Sequence, residues 1–186
     1  MINFQDELID NPVIAAIRNE KDFEAVLDSD VRIVFILYGN IMRIKDVCDR
    51  LKRKDKLTFV NVDMIDGLRG DKYGMEYIKE VVSPNGVIST NGNMLKYAKH
   101  LGVFTIQRLF ILDSISIETG LSIARTVKPN VIEVLPGIAY KAIELIKSMA
   151  TQPIITGGLI YTQKDAVQAL ASGAIGISTS SKDLWE

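Results

Sequence analysis

Short apolar runs alternate with longer amphipathic segments along the whole chain. The run at 33–37, Ile-Val-Phe-Ile-Leu, contains no polar residue, which is typical of a parallel strand that is covered on both faces. Repeated alternation of strand and helix implies right-handed βαβ units, so the pattern predicts a parallel sheet with helices packed against it. The predicted strands are residues 13–17, 33–37, 57–62, 86–89, 103–109, 131–135, 153–156 and 174–178.

The segments between these runs have the periodicity and the end signals of helices. Residues 93–101 stop before Gly102, a residue type that tolerates the positive φ of a helix C-terminus. Residues 162–171 open with Thr-Gln-Lys-Asp, which resembles a capping box, and Asp113 precedes another helix start. Residues 41–54 place four apolar residues on one helical face: Ile44, Val47, Cys48 and Leu51.

Eight such units predict a compact, closed TIM-type (β/α)8 barrel, with a doubly wound open sheet as the alternative. A barrel of this kind typically has about 250 residues, whereas this chain has 186. At about 23 residues per unit the loops must be short, and one helix is expected to be missing or stunted. No linker or low-complexity tract interrupts the pattern, so residues 1–186 are predicted to form a single domain.

Composition narrows the compartment and the kinds of site. The formal net charge of -1 gives no overall attraction toward nucleic acid. The single cysteine, Cys48, excludes an internal disulfide and a thiolate metal cluster. The N-terminus is acidic, and no apolar run reaches the roughly 20 residues that span a bilayer, so neither a signal peptide nor a membrane partner is expected. These features predict a cytoplasmic protein.

Two predicted strand ends carry the residues of a phosphate site. In a TIM-type barrel the ligand lies at the C-terminal ends of the strands, and phosphate is often held after strands seven and eight. Here the seventh strand runs into Gly157 and Gly158, and the eighth runs into Ser178, Thr179 and Ser180. Glycines let backbone N–H groups approach an anion, a helix N-terminus adds unpaired donors, and hydroxyls supplement them. We therefore predict phosphate binding here; the alternative is a tight turn followed by an N-cap serine.

Two carboxylates lie in otherwise apolar strands. Asp63 shares a face of the third strand with Asn61, and Glu133 alternates with Ile132 and Val134 in the sixth, which points Glu133 into the barrel. A buried carboxylate needs a cation or hydrogen-bond donors, because its isolated burial is very costly. Asp63 and Glu133 are predicted to accept hydrogen bonds from the hydroxyl groups of a ligand.

Two arginines are candidates to pair with these carboxylates and to assist phosphate binding. Arg18 closes the first strand, and Arg108 lies late in the fifth. Simple alternation places Gln107, rather than Arg108, on the inner face of that strand. The alternative is an ion pair inside the barrel with no ligand.

Signatures of catalysis are few. His100, the single histidine, lies beside Lys99 at the end of a predicted surface helix, where it is expected to be solvated. One histidine and one cysteine exclude a His/Cys metal centre, and a Ser/His/Asp triad would require His100. No catalytic residue, metal site or cofactor is therefore predicted, although Asp63 and Glu133 remain open as acid and base of a lyase or isomerase.

The concentrated basic stretch lies at residues 43–56, where three aspartates interrupt the lysines and arginines. Lys52, Arg53 and Lys54 are its densest part and are the candidate RNA-binding residues. A charge-rich helix exterior is more often a solvated face. No pattern of an RRM, KH or zinc-finger domain is present.

A set of segments, in order and over essentially the whole chain, resembles the bacterial glycerol uptake operon antiterminator regulatory protein family. Two positions depart from its usual pattern: Asp66 stands where glutamate is expected and Met64 where leucine is common, and both changes preserve the chemistry. The matching segments are IAAIR at 14–18, VDMIDGL at 62–68, IST at 88–90, TIQRLF at 105–110, IEVLPG at 132–137, GGLI at 157–160 and residues 174–185.

The resemblance implies a barrel that responds to glycerol 3-phosphate as an effector. In that family the ligand-bound form acts on the leader mRNA of glycerol-utilisation genes and prevents premature transcription termination. Two alternatives stay open: a barrel enzyme, a lyase or isomerase, acting on a small phosphorylated metabolite, and a sensor that works through a protein partner. A homo-oligomer is compatible with the sequence.

Overall fold

Eight parallel strands pair in chain order until the last strand meets the first. The computed structural model describes residues 3–186, and in it each strand pairs with the next and β1 pairs with β8, which closes the barrel. The predicted closed barrel is confirmed, and the open sheet is excluded. The strands are β1 Val13–Ile17, β2 Ile33–Ile36, β3 Leu57–Asn61, β4 Gly86–Ser89, β5 Phe104–Phe110, β6 Val131–Leu135, β7 Ile154–Gly157 and β8 Ile177–Thr179.

The helices surround this barrel, and their starts carry the predicted caps. Asp113 caps α6 in a capping box with Ser116, and Thr162 caps α8 in a capping box with Asp165. Gly102 has the expected positive φ, +73°. The helices are α1 Phe4–Asp10, α2 Glu20–Leu27, α3 Ile44–Lys52, α4 Lys72–Tyr77, α5 Gly92–His100, α6 Ser114–Val127, α7 Tyr140–Met149 and α8 Gln163–Ala171.

The expected stunted helix is the one after β8. A single 3-10 turn, Lys182–Leu184, follows that strand. The α4 segment is also short and continues into a π-helical turn at Ile78–Val82. Within residues 3–186 no helix is long and apolar enough to cross a membrane.

The N-terminal end of the barrel is closed by α1, which precedes the first strand. Phe4 and Leu8 of this helix are buried in the barrel interior with Phe35 and Phe59. The rings of Phe4 and Phe59 meet edge to face, with centroids 5.2 Å apart. Because aromatic side chains fill this end, space for a ligand is left at the opposite, C-terminal end of the strands.

Candidate functional site

A cavity of about 260 Å³ opens at the C-terminal ends of β1, β7 and β8. We call it the mouth cavity. Its volume is slightly below the roughly 300–1,000 Å³ of pockets that bind drug-sized ligands, so it suits a small metabolite. It brings together six of the nine predicted ligand residues: Arg18, Arg108, Gly158, Ser178, Thr179 and Ser180. The remaining lining residues are Ala16, Leu37, Leu135, Leu159, Ile160 and Tyr161.

A buried ion pair supports this cavity. The Arg108 Nε donates to Glu133 Oε2 at 2.7 Å, and the Ser178 Oγ donates to Glu133 Oε1 at 2.7 Å. The Glu133 side chain is fully buried and that of Arg108 is 7% exposed. Both oxygens of the carboxylate are thus engaged, which meets the requirement for burying a charge.

The pairing leaves part of the Arg108 guanidinium available. Arginine has five N–H donors, and the bond to Glu133 uses the one on Nε. Since Arg108 lines the mouth cavity, its two terminal nitrogens are the donors that can meet an anion or a hydroxyl oxygen there.

The turn after β7 adds backbone donors. Gly158 and Leu159 both have positive φ, +78° and +61°, a conformation that a leucine adopts only under local constraint. Within the described chain, the N–H groups of Leu159, Ile160 and Ser180 donate to no protein acceptor. All three residues line the mouth cavity, so these N–H groups are candidate anion donors.

Two of the three predicted hydroxyl groups already donate to protein acceptors. The Ser178 hydroxyl donates to Glu133, and the Thr179 Oγ1 donates to the Ile160 carbonyl at 2.7 Å. Thr179 thereby ties β8 to the turn after β7, and Ser180 is left as the hydroxyl free to donate to a ligand. The predicted helix N-terminus is wrong: only a short 3-10 turn follows β8, and the Asp165 carboxylate occupies the start of α8.

Gly157 leaves room for the Ser178 hydroxyl and the Glu133 carboxylate and does not contact the cavity. A Cβ at this position would lie 2.0 Å from Ser178 Oγ and 3.2 Å from Glu133 Oε1. Gly157 does not line the mouth cavity. A glycine is required here because the buried hydrogen bonds of Glu133 occupy the volume of a side chain.

The prediction that Gln107, rather than Arg108, lies on the inner face of β5 is wrong. Arg108 points into the barrel toward Glu133, whereas Gln107 points outward, where its Nε2 donates to the Gly120 carbonyl of α6 at 2.8 Å. Ile106, two residues before Arg108, packs in the barrel interior, and Leu109 packs in the outer layer. The predicted inward direction of Glu133 is confirmed.

Asp63 lies outside the mouth cavity. The third strand ends at Asn61, and Asp63 belongs to the 3-10 turn that follows, so it does not continue the face of the strand. Its carboxylate accepts from Ser89 Oγ at 2.6 Å and from the Thr90 N–H at 2.6 Å. Asp63 thus joins the ends of β3 and β4.

Comparison with known proteins places the chain in a family. The profile of the glycerol-3-phosphate responsive antiterminator family matches residues 13–185. The chain belongs to this family. A relative from Escherichia coli strain K12, the uncharacterized protein YgcP, is 35% identical over 175 residues, which are 94% of this chain and 92% of the relative.

Two solved structures resemble this member of the antiterminator family. The glycerol uptake operon antiterminator regulatory protein of Listeria monocytogenes is 34% identical, covers 95% of each chain and has a TM-score of 0.91. A glycerol uptake operon antiterminator-related protein of Thermotoga maritima is 29% identical, covers 93% of this chain and 96% of its own, and has a TM-score of 0.82. Solved aldolases that are at most 19% identical share the fold alone.

Arg18 is the exposed cation at the rim of this cavity. Its backbone N–H donates to Asp22 Oδ2 at 3.0 Å, which fixes the end of β1 against the first turn of α2. Within residues 3–186 its guanidinium forms no ion pair. Arg18 is therefore free to turn toward an anion in the mouth cavity.

The apolar lining and Tyr161 were not predicted. Leu37, Leu135 and Ile160 have the composition of ordinary strand and core residues, so nothing in the sequence separates them from packing residues. Tyr161 carried a usable signal, because an aromatic residue with a polar end stands in the loop after the seventh strand.

The basic residues predicted to bind RNA lie at the other end of the barrel. Lys52 is the last residue of α3, and Arg53 and Lys54 follow it before β3, so all three lie near the N-terminal ends of the strands. The Lys52 ammonium donates to the Ser83 carbonyl, and Lys54 pairs with Asp28 at 3.2 Å. This stretch is partly neutralised and distant from the mouth cavity; its role in RNA binding stays a prediction.

His100 and Cys48 do not line the mouth cavity. His100 is exposed at the end of α5. Burial raises the pKa of the Cys48 thiol to about 12, which keeps it protonated and unreactive. Among residues 3–186 there is no group of three or more metal-ligating side chains.

Proposed function

We propose that this chain is a glycerol-3-phosphate-sensing regulator whose ligand-bound form binds the leader mRNA of glycerol-utilisation genes and prevents premature transcription termination. One observation carries the ligand assignment: backbone N–H groups, the Ser180 hydroxyl and two arginines surround one small cavity at the strand ends. Membership of the antiterminator family supports the RNA-level role. The protein would act in the cytoplasm, where transcripts are made.

In the proposed complex the phosphate lies between the two turns. The N–H groups of Leu159, Ile160 and Ser180 donate to it, and Arg18 closes over it from β1. The glycerol hydroxyls extend toward the floor, where the terminal nitrogens of Arg108 donate to their oxygens. Glu133 acts indirectly in this arrangement, because it holds Arg108 and Ser178 in place.

Isothermal titration calorimetry tests the phosphate assignment. Glycerol 3-phosphate is expected to bind at least about 100-fold more tightly than glycerol, since Arg18 and the three backbone N–H groups lose their charged acceptor without the phosphate. Arg18→Ala is expected to narrow this difference, while Lys54→Ala, at the far end of the barrel, leaves it unchanged. Equal affinity for the two compounds would show that the mouth cavity does not bind the phosphate group.

Regulation requires that the ligand prefer the RNA-competent state of the protein. A gel shift with a glycerol-operon leader transcript, with and without glycerol 3-phosphate, tests this requirement. Retardation that depends on the ligand supports the regulator. Ligand binding without any RNA retardation would favour a sensor that works through a protein partner.

The enzyme hypothesis has less support from the geometry. Its two candidate acid–base residues, Asp63 and Glu133, do not line the mouth cavity, and Glu133 is paired with Arg108. We therefore propose that the protein is not an enzyme and needs no cofactor. Turnover of a phosphorylated triose or sugar that Asp63→Asn or Glu133→Gln abolishes would reverse this assignment.

A further inference from the structure

The two halves of the chain carry opposite charge. Residues 3–80 contain 13 lysines and arginines against 16 aspartates and glutamates. Residues 92–171, apart from the buried Arg108–Glu133 pair, contain seven lysines and arginines against four carboxylates. The net charge of -1 therefore conceals a basic half that consists of the elements from α5 to α8.

The cations of this basic half are not neutralised by ion pairs. In the described part of the chain, every exposed ion pair has its carboxylate within residues 3–80, as in Arg50–Glu24 and Lys182–Asp22. None involves a lysine or arginine of residues 92–171. This contrasts with α3, where Lys45 and Arg50 both pair with carboxylates. The unpaired cations keep their full attraction for a polyanion.

A polar groove of about 260 Å³ lies between α5 and α6 in this basic half. We call it the α5–α6 groove. Lys96 is the cation that lines it, and Arg125 is exposed on α6 one turn after the lining residue Ser122. Lys128 follows the lining residue Val127, and its carbonyl accepts from the Lys99 ammonium. Besides Gly92, Ile123 and Val127, the other lining residues carry amide or hydroxyl groups: Asn91, Asn93, Ser122 and Thr126. Such groups donate to phosphate and sugar oxygens.

The α5–α6 groove continues upward to the barrel mouth. A second hollow, of about 330 Å³, shares Ile123 with the groove and Arg108 with the mouth cavity. Phe110 and Ile115 line this upper hollow and are 49% and 68% exposed. An exposed aromatic ring beside a cationic groove is the usual combination in surfaces that bind single-stranded nucleic acid.

We infer that single-stranded leader RNA docks along the α5–α6 groove, with phosphates near Lys96 and Arg125 and a base against Phe110. This inference rests on the proposed function and names the surface that carries it out. RNA is favoured over a protein partner because an unpaired cation, Lys96, lines the groove together with amide and hydroxyl side chains, whereas the core of a protein interface is depleted of charge.

The same geometry links the RNA surface to the ligand. Arg108 faces the mouth cavity, and the side-chain amide of its neighbour Gln107 donates a hydrogen bond to the Gly120 carbonyl of α6. A Cβ on Gly120 would lie 2.2 Å from Leu109, so β5 and α6 are in close contact at this point. A ligand that reorients Arg108 therefore acts on the strand that positions one wall of the α5–α6 groove.

Charge reversal at two positions tests the inference. The variant Lys96→Glu/Arg125→Glu is compared with Lys52→Glu/Lys54→Glu, which changes the net charge equally at the C-terminal end of α3 and in the turn after it, where the sequence predicted RNA binding. With saturating glycerol 3-phosphate, the α5–α6 variant is expected to bind the leader transcript at least about tenfold more weakly. The slope of log K against log salt is expected to fall by about 1.4, for two contacts to a single strand. The α3 variant should bind like the wild type, and calorimetry should give both variants the wild-type affinity for glycerol 3-phosphate.

Each other outcome contradicts the inference in a different way. Wild-type affinity in the α5–α6 variant, or an equal loss in the α3 variant, would overturn the α5–α6 surface while leaving the proposed function intact. Retained RNA binding with lost antitermination in a purified transcription reaction would assign the groove to a protein partner instead. If the wild type with ligand binds no leader transcript, the proposed function itself fails.

Discussion

Glu133 is fully buried, and both of its oxygens accept a hydrogen bond, from Arg108 and from Ser178. Removing the carboxylate would leave the Arg108 charge buried without a partner. Glu133→Ala is therefore expected to lower the free energy of unfolding by about 3–5 kcal/mol. Urea denaturation followed by circular dichroism measures the loss.

The exposed pair Lys54–Asp28 provides the control for this prediction. Its side chains are 53% and 83% exposed, so Asp28→Ala is expected to cost at most about 1 kcal/mol. A loss in Glu133→Ala no greater than in Asp28→Ala would show that Arg108 finds another partner or reaches solvent.

Gly157 is constrained by the same hydrogen bonds. The added methyl group of Gly157→Ala would lie 2.0 Å from Ser178 Oγ, and the resulting overpacking is expected to destabilise the protein by about 1–3 kcal/mol. Ser178→Ala removes the clashing oxygen. The double variant is therefore expected to be more stable than Gly157→Ala alone, a non-additive result that thermal denaturation can detect. Strict additivity would mean that the clash is elsewhere, for example with the Ser178 carbonyl.

The direction of Arg108 in the doubly covered strand β5 could not be predicted from the sequence. The barrel interior buries one face of β5 and α6 buries the other, so apolar residues occur on both faces. The pattern of apolar and polar residues therefore does not show which side chains point inward. Gln107 and Arg108 are both polar, so nothing in their residue types corrected the simple alternation that placed Gln107 inside. The ion pair with Glu133 determines that Arg108 points inward, because the two residues are register partners in the adjacent strands β5 and β6.

At the scale of elements the sequence was more informative. The predicted bounds of β1, β4 and β6 agree with the structure, because each run is apolar and ends at a clear turn signal. The last strand is shorter than predicted: residues 174–176 precede it, and Gly176 lies against Leu8 of α1. That contact joins residues far apart in the chain, and no local pattern records it.

The start of α8 has a predicted dependence on pH. Hydrogen bonds from the Thr162 hydroxyl and from the N–H groups of Tyr161 and Thr162 lower the pKa of Asp165 below its ordinary value of 3.8. The ionised carboxylate therefore contributes stability at neutral pH, and this contribution is lost as the pH falls below 3.8 through the folded pKa. Asp165→Asn is expected to lower the Tm at pH 7 and to flatten its fall between pH 5 and pH 2. A parallel fall in variant and wild type would contradict the role of this cap.

At the scale of the molecule, the barrel itself determines which residues meet. Arg18, Gly158 and Ser180 come from three strand ends, and they converge because β7, β8 and β1 are neighbours in the closed sheet. This convergence was predicted, because the ligand site of a TIM-type barrel lies at the C-terminal ends of the strands. That rule could not predict that Asp63, at the end of β3, bonds to β4 rather than reaching across the mouth. The opposite charge of the two halves was likewise hidden by the near-zero net charge.

Ligand binding should be visible in the stability of the whole barrel. A ligand that binds only the folded state at 100 times its Kd adds about 2.7 kcal/mol. For a domain of 150–250 residues each kcal/mol raises the Tm by about 2–4 °C, so glycerol 3-phosphate should raise it by about 5–11 °C. Glycerol at the same concentration should have little effect on the Tm. Arg108→Lys should reduce the Tm shift that glycerol 3-phosphate causes, because a lysine cannot bond Glu133 and also present two terminal nitrogens to the ligand. Differential scanning calorimetry measures all three. An equal shift in Arg108→Lys would show that Arg108 does not bind the glycerol hydroxyls at the floor of the mouth cavity, and would leave the turns after β7 and β8 and Arg18 as the ligand's partners.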